Sequence, residues 1–129
     1  MFKFSKRSKK RMEGVNLKLI EVAEKAILIS KVDFGIPREG GVRTASQQHR
    51  LFLDGKSNAD GLYKKSNHQF GNALDVYAYV DGNASWEVGD LAQIACAFLQ
   101  ASIESDVRIG WGGFWVSFSD MPHFELIES

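Results

Sequence analysis

The sequence predicts an α+β fold, with a small, mainly antiparallel sheet, two longer helices and one short helix. Three observations carry this. Two stretches, 17–30 and 88–105, repeat apolar residues at helical spacing. Short runs at 33–37, 72–80, 106–112 and 123–127 read as strands bounded by glycines and turn residues. Helices and strands also lack the regular alternation that a parallel sheet requires.

Asn16 is placed to cap a helix from Leu17 to about Ser30, with Leu17, Ile20, Ala23, Ile27 and Leu28 as its apolar stripe. "DFGIP" (33–37) and "GVRT" (41–44) read as strand pieces around a turn at Pro37–Gly40. Thr44 caps a short helix that stops at Gly55. "NALDVYAYV" (72–80) alternates and reads as one strand, followed by a turn at 81–83. The second long helix runs from Val88 to Ser105 and buries Leu91, Ile94, Ala95, Phe98 and Leu99. "DVRIGWG" and "HFELI" are the last two strands.

A chain of 129 residues suits one domain and can bury a core without disulfides. Sixteen basic and sixteen acidic residues cancel, so net charge does not point to nucleic acid. The distribution is uneven. Residues 1–12 hold Lys3, Lys6, Arg7, Lys9, Lys10 and Arg11 and no acid. The expected organisation is therefore a basic N-terminal segment, 1–13, and a domain, 14–129. The segment is either a solvated terminus or a foothold on an anionic membrane face or wall polymer. No apolar stretch follows it, so a secretory signal is not expected, and "AILI" at 26–29 is too short to span a bilayer. The expected location at synthesis is the cytoplasm. The single cysteine, Cys96, excludes an internal disulfide and is expected in the core.

Asp75 interrupts a run that otherwise reads as a buried strand. On a strand, Ala73, Asp75, Tyr77 and Tyr79 share one face and Leu74, Val76, Ala78 and Val80 the other. A carboxylate among small and aromatic neighbours is costly unless paired, hydrogen-bonded or metal-bound. His68 lies seven residues upstream, with Gly71 between them to turn the chain. His123 shares a face of the last strand with Glu125 and Ile127. Two histidines and an aspartate make a sensible three-ligand set for a catalytic zinc. Histidines satisfied structurally by hydrogen bonds are the competing reading.

"SNHQFGNALD" fits the pattern Ser-x-His-x-x-Gly-x-Ala-x-Asp at Ser66, His68, Gly71, Ala73 and Asp75. "DMPHFEL" places an acid three residues before a histidine, and "GVRTASQQ" resembles an arginine-bearing strand-to-helix turn. In this order, the three motifs resemble the zinc D,D-peptidase superfamily. That group includes D-alanyl-D-alanine carboxypeptidases and dipeptidases and phage L-alanyl-D-glutamate endopeptidases, and the hedgehog signalling domain shares its fold. The resemblance covers roughly residues 14–127. The compact length and basic start look most like the phage endolysin branch.

The resemblance implies one Zn²⁺ held by His68, Asp75 and His123. It implies Asp120 as general base, Arg43 as a group that binds or polarises the substrate carbonyl, and Ser66 as an ordering or substrate contact. The family base is often glutamate; the aspartate here has a shorter reach. The implied function is a zinc metallopeptidase acting on peptidoglycan stem peptides, of the L-alanyl-D-glutamate endopeptidase (endolysin) type. The alternatives are a D-alanyl-D-alanine carboxypeptidase or dipeptidase, or a non-catalytic zinc-binding module of the same fold. The implied partners are the stem peptide and a holin-type membrane partner that gives access to the wall, with no nucleic acid and a monomeric chain. Glu125 reads either as support for His123 or as a surface ion pair. His49 reads as structural or exposed. Trp111, Phe114 and Trp115 read as core or as a cleft wall.

Overall fold

The computed structural model of the chain describes residues 1–127. Positions 128 and 129, the end of the expected 14–129 domain, lie outside the described residues. The expected α+β, antiparallel architecture holds. The strands form two three-stranded antiparallel sheets.

The chain opens with α1 (Lys6–Arg11), capped by Ser5, whose Oγ accepts from the Ser8 amide at 3.1 Å. Lys3, Lys6, Arg7, Lys9 and Lys10 are exposed, while Phe4, Ser8 and Met12 are buried. Phe4 meets Phe34 edge-on, with ring centres 5.4 Å apart. The Ser8 hydroxyl accepts from the Ile36 amide, and Arg11 Nη1 donates to the Ile36 carbonyl, both at 3.0 Å. A buried hydroxyl and a buried amide thus satisfy each other.

The next helix, α2 (Leu17–Ile29), is capped by Asn16, whose side chain accepts from the Lys18 amide. Its buried stripe is Leu19, Val22, Ala23, Ala26 and Ile27. Leu17 is exposed, against expectation, because the first turn points it away from that stripe. The long helix α4 (Val88–Ser105) packs against α2 and buries Leu91, Ile94, Ala95, Ala97 and Phe98. Leu99 is half-buried. Cys96 is exposed rather than core. At 100° per residue it lies two steps round from Ile94, on the side away from the stripe.

One sheet has the order β1 (Asp33–Gly35), β3 (Tyr77–Val80), β4 (Asn83–Ser85). The other has the order β2 (Ala73–Asp75), β6 (His123–Leu126), β5 (Ile109–Trp111). The run 72–80 is therefore two strands in different sheets, not one. At the junction the Asp75 amide donates to Gly40 O and the Val76 amide to Pro122 O, so the chain leaves the β6 ladder there. Asn83 begins β4 instead of closing the turn. Asp81 and Gly82, both at positive φ, make the two-residue reversal. Residues 41–44 are not a strand, because they lead directly into α3 (Ala45–Leu53). The core clamps β6 from behind: Phe124 stacks on Phe98 of α4 at 3.9 Å, and neither is exposed. That clamp turns the opposite face of β6 outward as a fixed platform. Among the described residues, no helix is long and apolar enough to cross a membrane.

Candidate metal and catalytic site

The platform is built by strand register. Asp75 of β2 pairs directly with His123 of β6, and Ala73 with Glu125. Directly opposed residues of an antiparallel pair carry their side chains on one face, about 5 Å apart at Cβ. The third group, His68, arrives on a 3₁₀ turn at Asn67–Phe70. Ser66 caps this turn. Its Oγ accepts from the His68 amide at 3.2 Å, and its own amide donates to Gln69 Oε1 at 2.9 Å. Gly71 closes the turn at φ +74°, and a Cβ there would lie 2.7 Å from Gly14 O. Only glycine meets both conditions without strain.

The three groups converge. His68 Nε2 is 3.1 Å from Asp75 Oδ1 and 3.2 Å from His123 Nδ1, and His123 Nδ1 is 3.1 Å from Asp75 Oδ1. The outer nitrogens are already committed. His68 Nδ1 donates to Gly41 O at 2.8 Å, and His123 Nε2 donates to Glu125 Oε1 at 2.6 Å. In the neutral rings those donations fix the tautomers, so both inward nitrogens present lone pairs. Two lone pairs and a carboxylate oxygen around one point repel each other unless a cation lies among them. Tetrahedral ligands held at about 2.0 Å from an ion stand about 3.3 Å apart. The observed triangle is close to that size, so these residues fit a metal ion, and the three form a cluster able to hold one.

The electrostatics agree. Burial pushes the Asp75 carboxyl up, but the charges and hydrogen bonds of His68 and His123 outweigh it and hold the group well below the usual carboxylate range. Burial works against a charged His123 ring, yet Asp75, Glu125 and Asp120 push it up to about 9. A proton and a metal ion therefore compete for His123 Nδ1. The hydrogen bond from His123 holds Glu125 below its ordinary value.

Arg43 reaches the same site. Its Nη2 donates to Asp75 Oδ2 at 2.9 Å, its Nη1 to Gln48 Oε1 at 3.0 Å and its Nε to Glu39 O at 2.7 Å. Thr44, next in the chain, starts α3 with a capping box to Gln47. Asp120 lines the cleft with His68, Asp75 and His123. Burial and the neighbouring Asp75 carboxylate push Asp120 up from the ordinary aspartate value. Its backbone is fixed by a hydrogen bond from its amide to Gly112 O at 2.9 Å, and a Cβ on Gly112 would lie 2.2 Å from Asp120 O. The structure thus gathers Arg43, Ser66, His68, Asp75, Asp120 and His123 around one cleft of about 380 Å³.

Of the residues with competing readings, Glu125 accepts a hydrogen bond from His123 and so fixes that ring rather than pairing at the surface. Trp115 lies against His123, with ring centres 4.9 Å apart, and lines the cleft with Phe118. Trp111 donates its indole N–H to Met121 O at 2.7 Å and packs against the core. Phe114 is exposed. His49 bonds through Nδ1 to Asp60 O at 2.9 Å, a structural contact. Sequence reasoning missed Gln48. It is fully buried, accepts from Arg43, and donates to Ser57 Oγ and Ala59 O, both at 2.9 Å. A glutamine on a polar helix gives no signal of this.

The comparisons with known proteins agree with one another. A family model described as phage L-alanyl-D-glutamate peptidase matches residues 1–127. The chain is 32% identical over 120 residues to the L-alanyl-D-glutamate peptidase of Escherichia phage T5, covering 92% of this chain and 85% of that protein. The fold superposes on the crystal structure of the L-Ala D-Glu endopeptidase ChiX of Serratia marcescens with a TM-score of 0.86 at 34% identity, covering 98% of this chain and 90% of that one. With a His–Asp–His triangle whose two imidazoles are buried and a family match over nearly its whole length, the chain belongs to the phage L-alanyl-D-glutamate peptidase family.

Proposed function

We propose that the protein is a zinc endopeptidase that hydrolyses the L-alanyl–D-glutamate bond of peptidoglycan stem peptides. The observation that carries this is the His68–Asp75–His123 triangle, whose inward nitrogens are fixed as lone-pair donors, within a chain of this family. Three protein ligands, two imidazoles and a carboxylate, are the pattern of catalytic zinc rather than of closed structural sites. Zinc held there supplies a Lewis acid and a water whose pKa falls to about 7.

The chain's own residues do the rest. Asp120 takes a proton from the attacking water and passes it to the leaving amine. Its upward-shifted pKa makes the carboxylate a stronger base for the first of these transfers. Pro122 stiffens the short link from Asp120 to His123, which keeps the base beside the ligands. Arg43 holds Asp75 in place through Nη2 and polarises the scissile carbonyl with its remaining N–H donors; one such contact is typically worth about 3–4 kcal/mol. Trp115 covers His123 and excludes water from one side of the ligands. Ser66 orders the turn that carries His68.

All six side chains come from one chain, which supports action as a monomer. The phage family supports action on the cell wall; host-cell lysis, with access through a holin-type membrane partner, is part of the same proposal. The test is mass spectrometry of purified muropeptides after digestion by the zinc-loaded chain. Fragments with a new N-terminal glutamyl residue support the reading. Loss of terminal D-alanine alone would replace it with a carboxypeptidase.

A further inference from the structure

The cleft is lined by two unlike sets of residues: Trp115 and Phe118, and Lys56, Lys64 and Lys65 from the loop between α3 and the 3₁₀ turn. The charges in the cleft are not balanced. Arg43 is engaged with Asp75, and Glu125 with His123. Among the described residues, none of the three lysines makes an ion pair; Lys65 Nζ lies 6.0 Å from the centre of the Phe70 ring, a contact at the edge of cation–π range that a carboxylate can replace.

The loop that carries them is held in shape. Asp60 Oδ1 accepts from the amides of Leu62, Tyr63 and Lys64, each at 2.9 Å. Gln48 donates from below to Ser57 and Ala59, and Gln69 Nε2 donates to Gly61 O at 2.9 Å. Gln48 also holds Arg43, so one buried side chain sets both the arginine at the site and the height of the lysine loop. The lysine stems therefore start from an ordered backbone, which lowers the cost of holding a ligand.

We propose that Lys56, Lys64 and Lys65 form the subsite for the free carboxylate of the glutamyl residue on the leaving side of the scissile bond. This inference rests on the L-alanyl–D-glutamate reading above. A glutamyl residue that continues the chain through one carboxyl keeps the other free, close to the scissile nitrogen. Cationic side chains lining the same cleft as His68, Asp75 and His123 suit that group, whereas a neutral carboxamide loses the charge that ammonium groups recognise. The enzyme then discriminates between stem peptides whose glutamyl carboxyl is free and those in which it is amidated.

The experiment uses two synthetic stem peptides that differ only in that carboxylate or carboxamide. The zinc-loaded full chain and its Lys56→Gln/Lys64→Gln/Lys65→Gln variant are compared by kcat/KM at low and at 0.5 M salt. Short peptides carry no glycan or wall polymer, so the rate difference reports the carboxylate alone. The wild type is expected to prefer the free carboxylate at least tenfold at low salt, mainly through KM, and to lose most of the preference at high salt. In the triple variant, with unchanged melting temperature and zinc content, the ratio is expected to fall to within twofold of one. Equal rates of the wild type on both peptides, or a variant that keeps the wild-type ratio, would overturn the lysine subsite alone. Cleavage of neither peptide at the alanyl–glutamyl bond would overturn the bond assignment, and the subsite with it.

Discussion

His68 Nε2 and His123 Nδ1 face each other across 3.2 Å, and each ring commits its outer nitrogen to a fixed acceptor, Gly41 O and Glu125 Oε1. Two imidazoles in this relation cannot satisfy one another as neutral rings. Either a proton or a cation must lie between them and Asp75.

The first concerns pH. In the metal-free chain the folded value of His123, about 9, lies above the ordinary imidazole value of 6.5. The ring then contributes stability that is full below pH 6.5 and lost as pH rises through about 9, on the order of 3 kcal/mol in all. Bound zinc takes the proton's place, so the zinc-loaded chain does not share that loss. The gap in melting temperature between zinc-loaded and chelator-treated protein is expected to widen from pH 6.5 to 9. A gap that narrows over this range would contradict the tautomer assignment.

The second separates binding from turnover. Asp120→Asn is nearly isosteric and removes only the proton acceptor. It is expected to keep one zinc per chain and lose about 10²–10⁴-fold in kcat. Metal analysis beside single-turnover rates checks both halves. A variant with full rate would move the base to another group.

Glu125→Gln tests the support behind His123. The carboxylate fixes the His123 ring and raises its basicity through the 2.6 Å hydrogen bond. Losing the charge is expected to weaken zinc affinity about 10–100-fold, measured by competition with a chelating dye. An unchanged affinity would reduce Glu125 to a surface role.

Gly71→Ala tests the turn that delivers His68. A Cβ at φ +74° and 2.7 Å from Gly14 O strains the backbone on two counts. The expected cost is about 1–3 kcal/mol in chemical denaturation, with a parallel loss of zinc affinity as His68 shifts. A variant as stable as the wild type, with full zinc affinity, would show that the turn tolerates a side chain.

Much of this was legible in the sequence because it depends on local chemistry. Asn16 and Thr44 announce their helices by capping, and the stripe of α4 is set by its own period. The convergence of His68, Asp75 and His123 was legible through the motif around Gly71 and the acid–histidine pair near the end. What stayed hidden depends on distant partners. Alternation runs unbroken through Val76, so nothing local marks where the chain passes from β6 to β1 as its neighbour. Cys96 looked apolar enough for a core, but the helix period turns it to solvent. Gln48 lies on a polar helix, and only its three side-chain partners, Arg43, Ser57 and Ala59, reveal a buried hub.

X-ray absorption at the zinc edge, on a preparation that cleaves stem peptides, probes the central claim most directly. The expected result is one zinc per chain with two imidazole nitrogens and a carboxylate oxygen at about 2.0–2.2 Å, and loss of that signal in His68→Ala and His123→Ala. An active chain without stoichiometric metal, or a first coordination shell lacking imidazole, would contradict it.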